Sequence, residues 1–83
     1  MHLEKPRIME LKDFIEKFAN QLDDTEVSAI HGDTAYQELE EWSSLTAMSI
    51  IAMARTEYGK KVTGLEIRKC KTVEQLFHLI ASK

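Results

Sequence analysis

Ile8, Leu11, Phe14, Ile15, Phe18 and Leu22 recur at the three- and four-residue steps of an α-helix, and no stretch alternates apolar and polar residues long enough to make a strand. That pattern decides the fold class. Glu10, Lys12, Asp13, Glu16 and Lys17 fill the opposite face of the same segment. Pro6 suits the first turn of a helix and not its middle, because it lacks an N–H and fixes φ. The spacing therefore predicts helix 1 over about residues 6–22.

A second helix is predicted over residues 44–58, from Leu45, Ala47, Met48, Ile50, Ile51, Ala52, Met53 and Ala54. It is apolar over most of its circumference, so it is expected to pack against several neighbours. Ser43 is a suitable N-cap, since its hydroxyl can accept from a free backbone N–H of the first turn. Gly59 suits the left-handed residue that ends many helices. Thr63-Gly64-Leu65-Glu66 has capping-box spacing and predicts a short third helix. Thr72-Val73-Glu74-Gln75 repeats that spacing, and Val73, Leu76, Phe77 and Ile80 follow at helical steps, predicting helix 4 over about 73–82. Stripes like these are buried only against one another. The expected architecture is all-α: one domain over residues 1–83, a small four-helix bundle of three main helices plus a short third.

Residues 23–43 show no sustained period, and so form a long loop between helices 1 and 2. Val27, Ile30, Tyr36, Leu39 and Trp42 are spaced like anchors pinning it over the core, and Gly32-Asp33 signals a turn. The charge is concentrated here. Residues 23–44 carry seven acids (Asp23, Asp24, Glu26, Asp33, Glu38, Glu40, Glu41) and no base, within a formal charge of −3 for the whole chain. Residues 45–83 are net basic. The acidic block reads either as a solvated loop or as a surface that attracts a basic partner. The basic half lacks interleaved aromatics and a dense Lys/Arg face, so no nucleic-acid partner is expected.

Eighty-three residues are too few for a doubly wound nucleotide-binding domain or a barrel enzyme. The single Cys forms no internal disulfide, which argues against a stapled secreted scaffold. No apolar run reaches the ~18 residues of a membrane span, and the first residues lack the layout of a signal peptide. The expectation is a soluble, cytoplasmic protein without membrane insertion. With no obvious exposed apolar patch in the pattern, it is also expected to be a monomer. His2, His31, His78 and Cys70 have no metal-ligand spacing, so no metal is expected. Cys70 lies between Lys69 and Lys71, which can lower a thiol pKa, but the preferred reading is a free, partly buried thiol. The three glycines are scattered and make no phosphate loop. A bundle this small offers little pocket for acid–base catalysis by the paired carboxylates.

Ser44 is different. It follows the acidic loop, precedes Leu45 and begins helix 2, where first-turn N–H groups and the helix dipole favour a phosphate attached to its hydroxyl. Ser43 and Ser44 also read simply as cap residues.

Trp42-Ser43-Ser44-Leu45, followed by Met48, Ile51, Tyr58-Gly59, Val62 and Thr72-Val73-Glu74-Gln75-Leu76, resembles the acyl carrier protein family, over about residues 8–81. Asp33-Thr34, Tyr36 and Leu39, leading into Trp42, resemble carriers of specialised biosynthetic clusters. The resemblance implies that Ser44 is the attachment point for 4′-phosphopantetheine, donated by coenzyme A through a phosphopantetheinyl transferase. It further implies a carrier and not an enzyme, which presents thioester-bound acyl groups to acyl-transferring or acyl-elongating enzymes of a lipid, polyketide or surface-polymer pathway. The sequence departs from the family pattern in three places. Ser43 replaces the Asp of the Asp-Ser-Leu motif, Glu40 and Glu41 stand where a glycine is expected, and Ser49 and Arg55 occupy acidic positions of helix 2. The departures bear on which partners read the helix. The expected partner-binding residues are Glu38, Glu40, Glu41, Trp42, Ser43, Leu45 and Met48. The small and flexible Ala47, Met48, Ala52, Met53 and Ala54 suit either an acyl chain tucked into the bundle or an ordinary core. Two alternatives stand beside the acyl carrier: an interaction module of the same fold without the prosthetic group, and a carrier of aminoacyl or peptidyl groups.

Overall fold

The computed structural model describes residues 10–83. They form four helices, α1 (Leu11–Ala19), α2 (Ser44–Tyr58), α3 (Gly64–Lys69) and α4 (Val73–Ala81), and no strand. The chain is an all-helical bundle of three longer helices and a short third, as the apolar periods predict. Phe14, Phe18, Tyr36, Ile50, Val73, Leu76 and Ile80 lose all solvent exposure. α1 packs on α4 and α2, and α2 packs on α3.

α1 ends earlier than its apolar stripe. The helix stops at Ala19, and the Gln21 and Leu22 N–H groups donate to the Phe18 and Ala19 carbonyls at 3.0 and 2.9 Å. The stripe runs on because these tighter three-residue bonds still turn Leu22 into the core. Pro6 and Ile8, expected in the first turns, lie outside the described residues.

The other helix ends follow local chemistry. The Ser43 hydroxyl accepts the Thr46 N–H at 3.2 Å and starts α2. Gly59 ends it with φ 66°, a left-handed conformation that costs glycine little. Thr63 and Glu66 form the full capping box of α3: the Glu66 N–H donates to Thr63 Oγ1 at 3.2 Å, and the Thr63 N–H donates to Glu66 Oε1 at 3.0 Å. At α4 only half of the box forms. Thr72 caps the Gln75 N–H at 3.1 Å, while the Gln75 side chain accepts from Lys71 N–H, one residue before the expected donor.

Residues 23–43 are loop apart from two single 3-10 turns, Val27–Ala29 and Tyr36–Glu38. Ile30 and Tyr36 are buried, and Leu39 and Trp42 pack partly buried against the core. The fifth expected anchor differs: Val27 stays 42% exposed. Phe18 stacks on Trp42 with centroids 6.2 Å apart, and the Tyr36 ring meets both edge-on, at 5.6 Å from Phe18 and 4.9 Å from Trp42.

The loop also completes two helix ends. The Val73 and Glu74 N–H groups, free at the start of α4, donate to the Thr34 and Gly32 carbonyls at 3.1 and 2.8 Å. At the end of α3, the Tyr36 hydroxyl lies against the Ile67 carbonyl and 3.0 Å from that of Cys70. Gln37 Nε2 reaches the carbonyls of Ile67, Arg68 and Cys70 at 3.2, 3.2 and 2.8 Å. A six-residue helix is not stable by itself; here its end is held from outside.

Candidate functional site

Two serines at the start of α2 divide two tasks. Ser43 is occupied: its oxygen takes the Thr46 N–H and sits 3.1 Å from the Thr46 hydroxyl, which in turn donates to the Glu41 carbonyl at 2.9 Å. Ser43 thus retains the capping oxygen that an Asp would supply there. Ser44, the first residue of α2, is exposed, and among the described residues its hydroxyl makes no hydrogen bond.

Both serines line a groove of about 350 Å³. Ala47, Met48 and Ile51 of α2 form one side. Gly64, Ile67 and Arg68 of α3 form another, and Gln37 and Trp42 of the loop complete it. Most of that surface is apolar, and the cation of Arg68 is the one formal charge in the wall.

Three large apolar side chains on α2 and α3 are exposed. Leu45 is 72% exposed, Met48 64% and, on α3, Leu65 57%. Leu45 and Met48 lie three residues apart on α2 and so share a face. α2 is accordingly less enclosed than its composition suggests: Ile50, Met53 and Ala54 are its buried residues, and Ala52 faces solvent.

The expected acidic contacts separate into two kinds. Glu38 and Glu40 are exposed. Glu41 is engaged within the chain: its carboxylate accepts the Asp24 N–H at 2.9 and 3.0 Å and the Thr25 hydroxyl at 2.7 Å. Those hydrogen bonds, the Asp24 N–H first, hold the Glu41 carboxyl below the usual carboxylate range. Glu41 joins the two ends of the loop. Along α2, Ser49 returns its hydroxyl to the Leu45 carbonyl at 3.2 Å, and Arg55 is exposed in the last turn.

Cys70 is buried, and burial pushes its thiol pKa up, with Glu66 adding to the shift; Lys69 and Lys71 point to solvent and do not activate it. Among the described residues no three His, Cys, Asp or Glu side chains gather as metal ligands. His31 and His78 are exposed, and His2 lies outside the described residues. No helix of the described residues is long and apolar enough to cross a membrane.

Gln37, Arg68 and Leu65 were not singled out by their sequence positions. Gln37 stands in an aperiodic stretch, and Arg68 and Leu65 belong to a helix too short to show a face. A Thr63–Glu66 capping box fixes the register of that helix, and from the register the outward position of Leu65 and Arg68 can be read.

Comparison with protein-family models, curated proteins and solved structures finds no match for this chain.

Proposed function

We propose that the chain is an acyl carrier protein whose Ser44 receives 4′-phosphopantetheine from coenzyme A. The observation that carries this reading is the placing of Ser44: an exposed hydroxyl, free of hydrogen bonds among the described residues, at the first turn of a 15-residue helix and on the wall of a largely apolar groove. In the transfer, Ser44 Oγ forms a bond to phosphorus of the coenzyme A pyrophosphate. The adenosine bisphosphate half leaves, and the hydroxyl proton passes to a base of the transferase. The first-turn N–H groups of α2 favour the resulting phosphodiester. When attached, the arm supplies a terminal thiol that carries an acyl group as a thioester.

The residues around Ser44 suit that role. Ser43 holds the helix start, so Ser44 need not. Leu45 and Met48 offer apolar contact to a transferase or an acyl-transferring enzyme, and exposed Glu38 and Glu40 attract a basic surface on it. Ala47, Met48 and Ile51 give an acyl chain an apolar wall.

The test is intact-mass analysis after incubation with coenzyme A and broad-specificity transferases. A gain of one phosphopantetheine, lost in Ser44→Ala and kept in Ser43→Ala, is expected. An unchanged mass with every transferase favours an interaction module that uses the same exposed face without the arm. Methyl chemical shifts of Ala47, Met48 and Ile51 that move between the unacylated and long-chain forms are expected if the groove takes the chain.

A further inference from the structure

Arg68 has no evident structural duty. It makes no ion pair with a described residue, and neither do Lys12, Arg55, Lys61, Lys69 and Lys71; what sets it apart is its place in the groove. A cation in the last turn of α3 suits the helix dipole, but Lys69 already supplies one there, and only Arg68 lines the groove that Ser44 shares. Its backbone is also held in place, because Gln37 Nε2 reaches the Ile67, Arg68 and Cys70 carbonyls around it. Arg68 therefore stands on a pinned segment and brings an exposed cation to the rim of a mostly apolar groove.

We infer that Arg68 receives an oxyanion brought into the groove by what is attached at Ser44. A planar guanidinium offers two parallel N–H donors to a carboxylate or phosphate, and such pairs strengthen where apolar walls reduce competition from water. A purely hydrocarbon chain leaves this group to water; an acyl group with a carboxylate at its far end offers it a paired acceptor. The phosphodiester on Ser44 has the same chemistry and is the other source of the oxyanion. The inference deepens the carrier reading of Ser44 and rests on it for the identity of the attached group.

The experiment separates the sources, and its first two arms do not depend on a transferase. Ser44→Cys is joined by a disulfide either to a mercaptoalkanoic acid or to the alkanethiol of the same chain length. The buried Cys70 thiol, with its raised pKa, does not compete for the reagent. The wild-type chain, with and without the prosthetic arm, forms a third arm. The readout is the Nε–Hε NMR signal of Arg68, assigned by its loss in Arg68→Gln, together with the melting temperature.

With the acid-ended chain the signal is expected to sharpen and move downfield and the melting temperature to rise; both changes vanish in Arg68→Gln and shrink in high salt. With the alkyl chain the signal stays in place. A shift already present when the prosthetic arm alone is attached identifies the phosphodiester as the partner. Equal responses to the acid-ended and alkyl chains, or no response in any arm, overturn the inference. If no transferase modifies Ser44, the carrier reading fails, while the two tethered chains still decide the role of Arg68.

Discussion

The loop of residues 23–43 and helix α2 reverse the usual expectation for loop and helix. The loop has no period and is rich in acids, yet side chains fasten it: Tyr36 and Gln37 to the end of α3, and Glu41 across its own ends. α2 is the longest helix and strongly apolar, yet it leaves Leu45 and Met48 in solvent. Irregular backbone satisfies its own polar groups only in part, here through short local turns, and other elements take up part of the rest. A helix satisfies its backbone internally and can leave a face open for another molecule.

The largest effect expected from breaking this contrast is at Tyr36. Tyr36→Ala removes a fully buried ring and should cost about 3–5 kcal/mol, read as a shift of the denaturation midpoint. Tyr36→Phe keeps the ring but withdraws the hydroxyl from the end of α3; a loss of about 1–3 kcal/mol is expected. If Tyr36→Phe is neutral, Gln37 alone holds the end of α3.

Ser43→Ala removes the cap of α2 and should cost ~0.5–2 kcal/mol by the same measurement. It therefore weakens the fold while leaving the Ser44 hydroxyl in place.

A pH scan examines the ion-paired and hydrogen-bonded carboxylates. Glu41 is held low by the Asp24 N–H and the Thr25 hydroxyl, and Asp13 by hydrogen bonds from Lys17 at 2.7 Å and from Tyr58 at 2.6 Å. A depressed carboxylate contributes stability that is present above its unfolded pKa and is lost as pH falls through its folded one. The melting temperature is thus expected to fall on acidification below about pH 4, with a shallower fall in Glu41→Gln. Lys17, raised by Asp13, has the opposite sign: its contribution is present below its unfolded pKa and is lost as pH rises through its folded one.

The smallest stability effects are expected on α2. Leu45→Ala and Met48→Ala should stay within about 0.5 kcal/mol of the parent, because both side chains are largely in solvent already. Their effect should fall instead on transfer to Ser44, measured as a rate. Glu38→Gln with Glu40→Gln should slow that transfer at low salt and little at high salt.

Both bounds of α2, the capping box of α3 and the start of α4 were legible because each is written in residues within a turn of the feature. Ser43 and Gly59 mark α2 by their own chemistry. The end of α1 was not legible, because Leu22 keeps the apolar spacing while the backbone tightens. The fastening of the loop was hidden for a different reason: Tyr36 and its carbonyl partners are more than thirty residues apart, and no local pattern announces the pairing. The candidate site divides in the same way. Ser44 is singled out by its place at a helix start together with the family resemblance, whereas the opposite wall, with Arg68, comes from α3 folding back on α2. The engagement of Glu41 also escaped a reading by charge alone, since a carboxylate used internally counts the same as a free one.

The single tryptophan gives the molecule a built-in optical reporter. The Trp42 ring, at the end of the loop, stacks on Phe18 and also forms part of the groove wall. Its emission therefore senses two events from one position. Detachment of the loop exposes the indole to water and shifts the spectrum to the red, whereas a chain seated in the groove shields it and shifts the spectrum to the blue. Loop opening, and the filling of the groove that the carrier proposal calls for, can thus be told apart in the unlabelled protein by opposite spectral signs.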